Sequence, residues 1–271
     1  MSSGVTGTGT TKISRFEKLE VGDTASRASG VVFFVLCLVP ILATALYGGV
    51  DTGTWVIISI LAGVIALAWI IDAWLGKGFP VYRSMLLMPI GGMIVIGVIQ
   101  LVPLFSSGLP TELLAVQYNQ PISMDPYSTR FFVIRLVVYF VFLAAALTYI
   151  NTQRRLKRLT IIMICLGTLT AFFGILQFLA KPDAIYGLRE TPGAVPFGPF
   201  VNQHHFAAFT ELGFGLAVGL IALRGVKRDK MVLLAVAALM MIVAALLTGS
   251  RGGLLSYVGI AAFILVAVSR L

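Results

Sequence analysis

"TWVIISILAGVIALAWIIDAWL", residues 54–75, carries one charged side chain, Asp72, in an otherwise near-continuous apolar run. A run of about 20 such residues is what a helix needs to cross the hydrocarbon core of a bilayer. Backbone groups find no water there, so only helices and closed barrels can span it. Hydrophobicity that is continuous rather than alternating excludes the barrel. Runs of similar character recur near 31–47, 84–105, 131–150, 160–180, 206–223, 231–247 and 254–269. The chain therefore reads as an all-α integral membrane protein with about eight transmembrane helices.

The composition agrees. Of the 271 residues, 58% are hydrophobic and 11% charged, against about 25% charged in an ordinary soluble domain. Cys37 and Cys165 each sit inside an apolar run, so no disulfide or metal framework is readable. The net charge of +9 does not point to nucleic acid, because Lys and Arg gather in short loops beside the spans. Residues 1–29, rich in Gly, Ser and Thr, read as a flexible cytoplasmic tail, and residues 30–271 as one multi-span membrane domain. The last span starts near Leu254 and the chain ends at Leu271, which reads as a truncated product or fragment.

Orientation follows from Lys and Arg in alternate connections. One set holds fifteen: Lys12, Arg15, Lys18, Arg27, Lys77, Arg83, Arg154, Arg155, Lys157, Arg158, Arg224, Lys227, Arg228, Lys230 and Arg270. The other holds four: Arg130, Lys181, Arg189 and Arg251. This bias predicts a cytoplasmic amino terminus and places the two longest loops, 106–130 and 181–205, on the outer face.

Three stretches on that face carry chemistry. In "SMDPYSTR", residues 123–130, Asp125-Pro126 is a turn signal. Arg130 then stands at a helix mouth, where snorkelling is ordinary. Arg135 lies about 7.5 Å deeper at ~1.5 Å per residue, and a charge at such depth serves either an anionic ligand or a structural pair with a carboxylate such as Glu211. In "FGPFVNQHHFAAF", residues 197–209, Asn202 reads as the N-cap of a helix that contains His204 and His205. His204 and Glu211 share one stripe of that helix. Each imidazole could donate to a phosphate, shuttle a proton or satisfy a carbonyl. Adjacent histidines point to different faces and no third ligand is near, so a metal site is weakly supported. In "TGSRGGLL", residues 248–255, a tight hairpin puts Arg251 beside the free amides of a helix amino terminus, an anion-binding corner. An arginine-rich site at the membrane surface suits a pyrophosphate, since guanidinium donors match phosphate oxygens bidentately.

These three stretches together resemble the bacterial O-antigen ligase and polymerase superfamily over roughly residues 30–271. Asn202, His205, Phe206 and Ala207 match its Phe-Val-Asn-x-Asn-His-Phe-Ala stretch, with His204 where Asn is commoner, and Ser250, Arg251 and Gly252 match its Ser-Arg-Gly stretch. The resemblance implies a GT-C-like helical bundle in the bacterial inner membrane. It would use no cofactor or metal, and would transfer or polymerise a saccharide from an undecaprenyl-diphosphate-linked donor on the periplasmic side. The acceptor would be a glycan, lipid or protein. It implies catalytic roles for Arg251 and His205 and a lipid-diphosphate site drawing on Arg130, Arg135, Asn202, His204 and Arg251. Family members usually continue past the Ser-Arg-Gly hairpin into a large outer loop bearing another histidine and further helices, so the chain reads as the family's amino-terminal portion. The rival readings are a transporter or flippase of an anionic lipid-linked saccharide and a noncatalytic membrane fragment.

Overall fold

The computed structural model describes residues 27–75, 82, 84–106, 119–182 and 184–270. Among these residues are eight helices: α1 Arg27–Ala45, α2 Thr52–Leu75, α3 Leu87–Leu101, α4 Pro126–Tyr149, α5 Gln153–Ala180, α6 Gln203–Ala222, α7 Arg228–Leu247 and α8 Arg251–Ser269. Seven of them, all but α3, are long and apolar enough to cross a membrane. The fold is that of an all-α, multi-pass membrane protein.

Most helices begin before their apolar runs do, because a polar cap rather than the first apolar residue sets a helix start. Asp125 caps α4 by accepting from the Ser128 amide at 3.0 Å and its hydroxyl at 2.6 Å. Those two bonds hold the Asp125 carboxyl below its ordinary value of 3.8. Thr152 caps α5 through the amide of Arg155, so Arg154, Arg155, Lys157 and Arg158, read from sequence as a connection, lie in the first turns of a helix. Residues 27–29 of the predicted tail are already helical; residues 1–26 lie outside the described residues, as do Lys77 and Arg83 of the charge count.

The predicted span 84–105 needs correction. α3 has 15 residues, about 22 Å at ~1.5 Å per residue, and falls short of a crossing. Pro103 is the reason: its ring pushes the preceding residue out of the helical region, and Val102 is extended at φ −73°, ψ 126°. The chain continues as β1, Pro103–Ser106, which pairs antiparallel with β2, Asn119–Pro121. This small sheet was not expected. Residues 107–118 of the same loop lie outside the described residues.

The helices pack in two groups. α4 lies on α1, α2 and α3; α5, α6 and α7 pack on one another, with α8 laid mainly on α6; α1 against α5 joins the groups. Val32, Ile65, Trp69 and Tyr149 centre the first core, and Phe206, Phe214, Met241 and Tyr257 the second. Lipid gives helices little hydrophobic reason to associate, so close approach of small residues must hold them. A Cβ on Gly213 of α6 would lie 3.4 Å from the Gly167 Cα of α5 and 2.9 Å from Met241 Sδ of α7. At the end of the bundle where α5 starts, the Tyr149 hydroxyl donates to Asp72 at 2.9 Å and Arg155 donates to the Tyr149 carbonyl at 2.8 Å. At the opposite end, the mouth, lie residues 46–51, 184–202 and 248–250.

Candidate functional site

Residues 184–202, rich in proline and glycine, fold into the mouth rather than away from it. Phe197 and Phe200 are buried and close a short bridge with each other. The Phe197 ring stands 4.6 Å from that of Phe206, which is fully buried. Phe200 covers Gly48 so closely that a Cβ there would lie 2.5 Å from its ring, and Gly48 itself sits at φ +74°. Arg189 donates to Asp51 and stacks over Tyr47 at 4.7 Å, while the Tyr186 hydroxyl donates to the carbonyl of Ala45 at 3.2 Å. The loop thus ties the second helix group to the α1–α2 connection. Arg189, counted from sequence among the outer arginines, is committed to that tie.

Asn202 caps α6 as expected, accepting from the His204 amide at 2.8 Å. One turn away the structure adds a contact that the sequence did not reveal. His204 Nδ1 lies 2.9 Å from Ser250 Oγ, 46 positions along the chain. Ser250 is the cap of α8: it is 3% exposed, its hydroxyl accepts from the Gly253 amide at 3.2 Å, and its own amide donates to Thr248 Oγ1 at 3.1 Å. Below this bond the two helices touch at Ala207 and Gly253, where a Cβ on Gly253 would stand 2.8 Å from the Ala207 Cβ. The His-His-Phe-Ala and Ser-Arg-Gly-Gly stretches are one construction, two capped helix starts locked by a side-chain hydrogen bond and a glycine contact.

Beside it opens a cleft of about 260 Å³ lined by Gly193, Ala194, Val195, Asn202, Gln203 and His204. His204 lines it and His205 does not. His205 and Arg251 are exposed at the two helix starts, and neither has a side-chain partner among the described residues. The hydrogen bond between Ser250 and Nδ1 fixes the His204 ring and leaves Nε2 available. With the serine hydroxyl donating, Nε2 carries a proton; with Nδ1 donating, Nε2 is a base. At the start of α8 the Gly253 and Leu254 amides are taken by Ser250, so the amides available to an anion are those of Arg251 and Gly252.

Arg130 and Arg135 do not join this cluster. Both lie on α4 in the first helix group, whereas Arg251 starts α8 in the second. The ion pair between Arg135 and Glu211 is not formed: Arg135 stands 4.8 Å over the Trp55 ring of α2, and Glu211 faces Ser256 of α8. Among the described residues no group of three His, Cys, Asp or Glu is placed to hold a metal ion.

No family model, curated protein or solved structure matches the chain. Ser250 is the site residue that sequence reading passed over; a serine three residues before Gly253 and an apolar run carried the signal of an N-cap.

Proposed function

We propose that the chain belongs to a metal-independent membrane glycosyltransferase of the O-antigen ligase or polymerase type, with a GT-C-like bundle. The observation that carries the proposal is the His204–Ser250 bond, which joins two of the three stretches that carry the resemblance, at the edge of a cleft. The charge bias supports a cytoplasmic amino terminus in a bacterial inner membrane and a periplasmic mouth. The donor is an undecaprenyl-diphosphate-linked glycan, its lipid in the membrane and its diphosphate against Arg251 and the free amides of α8. An acceptor hydroxyl attacks the anomeric carbon. The bond from that carbon to the diphosphate oxygen breaks, the diphosphate leaves with the electron pair, and the acceptor proton passes to a base.

Arg251 stabilises the charge that develops on the leaving group, the role in which a preorganised donor contributes most. We assign the base to His204, with Nδ1 donating to Ser250 and Nε2 unprotonated, in place of His205. Arg130 and Arg135 drop out of the donor site because they stand on the other helix group. The flippase reading is less favoured: transporters bind at discontinuous helices near the midplane, whereas α6 and α8 run unbroken from their caps at the mouth. The test is glycan transfer in proteoliposomes with labelled undecaprenyl-diphosphate glycan and a mixture of acceptors. Arg251→Ala should lower transfer about a hundredfold or more; near-normal transfer by a well-inserted variant would remove Arg251 from the mechanism.

A further inference from the structure

Counted along α4, Arg135 lies ten residues in, about 13.5 Å below Pro126 at ~1.5 Å per residue. Counted through space it is shallower. Its guanidinium covers the ring of Trp55, the fourth residue of α2, so it stands one turn from the mouth end of that helix. The Trp55 ring in turn meets Tyr139 edge-on at 5.5 Å. Arg135 and Tyr139 are exposed, and Val56, next to Trp55, and Ile134, next to Arg135, are 54% and 52% exposed apolar side chains. The cluster lies on an exposed apolar seam of α2 and α4, and none of its residues lines the cleft at His204.

Among the described residues Arg135 has no carboxylate partner and no hydrogen-bond acceptor. The cation–π contact with Trp55 holds the guanidinium over the ring. Its in-plane N–H donors are left without acceptors at the level where Trp and Tyr commonly meet the headgroups. A phosphate matches what is missing: oxygens at that depth, negative charge, and a geometry that accepts two parallel N–H bonds.

We infer that Trp55, Arg135 and Tyr139 form a binding site for the phosphate of an anionic membrane phospholipid, separate from the cleft. The inference does not rest on the proposed glycosyl transfer. Free phosphate shares the chemistry, but a site that opens between apolar, lipid-facing side chains takes the phosphate from a lipid.

The chain has three tryptophans, Trp55, Trp69 and Trp74, so Trp69→Phe with Trp74→Phe leaves Trp55 as a local reporter. The full chain is reconstituted in phosphatidylcholine vesicles, and Trp55 quenching is compared for chain-brominated phosphatidylglycerol and chain-brominated phosphatidylcholine at equal mole fractions. The anionic lipid should be preferred about threefold or more, the scale of a cation–π contact joined to a phosphate pair. Arg135→Gln should bring the ratio to about one, and Arg135→Lys, which keeps charge without the planar fork, should leave it between. Should the glutamine variant fail to fold, the parent ratio and the lysine variant decide. Millimolar inorganic phosphate or a short prenyl diphosphate should leave the preference intact. A parent ratio of one, a preference that survives Arg135→Gln or is unchanged by Arg135→Lys, or relief of quenching by either soluble anion would overturn the inference.

Discussion

Gly253→Ala tests the contact that holds the site together. In the first turn of α8 an alanine is the better helix former by up to about 1 kcal/mol, so local propensity alone predicts a more stable protein. The structure predicts the opposite. The new Cβ would stand 2.8 Å from the Ala207 Cβ and 3.2 Å from Ser250 Oγ, where ordinary carbon contacts lie at about 3.5–4.0 Å. Ala207 is fully buried and has no flexible end to swing aside. The helix starts must therefore part by about 1 Å, and such overpacking costs about 1–3 kcal/mol. Gly252 is the matched control: it occupies the same turn, and a Cβ there meets nothing within 4 Å. Thermal unfolding of both variants in nanodiscs at one scan rate should place Gly253→Ala below Gly252→Ala by roughly 2–12 °C, at ~2–4 °C per kcal/mol for a chain of this size. Equal unfolding temperatures would refute the claim that α6 and α8 meet without space at this point.

Ser250→Ala removes both the α8 cap and the partner of His204, and should lower stability by about 1 kcal/mol, read from the same unfolding scans. With Cys37 and Cys165 replaced by serine, a cysteine at position 187 should react with an impermeant thiol reagent in intact cells and one at position 228 should not; the reverse pattern would invert the orientation. Asp125 has a carboxyl held below 3.8 in the folded chain, so its contribution to the start of α4 is complete above about pH 4 and is lost as pH falls through the folded value. Asp125→Asn, which can still cap, should flatten the acid limb of the unfolding-temperature profile below about pH 4.

What was legible in the sequence follows from the range of the forces involved. Continuous apolar runs located the spans because desolvation acts on each segment alone. Asn202 was legible as a cap because a cap is made with residues two or three positions away. The shortening of α3 was legible in principle, since Pro103 constrains Val102 whatever surrounds it. The pairing of Arg189 with Asp51 spans 138 positions, and that of His204 with Ser250 spans 46; no local pattern encodes either. Arg135 misled through depth: residues counted along one helix give no level relative to another, and only the position of Trp55 shows that this arginine lies near the mouth. Arg130, Arg135, Arg189 and Arg251, all near the outer face by sequence, divide into a helix-start arginine, a loop tie and two on the other helix group.

The central claim is that the mouth beside His204 and Arg251 holds a lipid-linked diphosphate. The most direct measurement is equilibrium binding of a labelled undecaprenyl-diphosphate disaccharide to the protein in nanodiscs, with chelator present, for the parent chain, Arg251→Ala and Arg135→Gln. Binding should be saturable, should weaken about tenfold or more in Arg251→Ala, ~1.4 kcal/mol or more, and should be unchanged in Arg135→Gln. Binding that fails to saturate, or that survives Arg251→Ala and falls with Arg135→Gln, would contradict it.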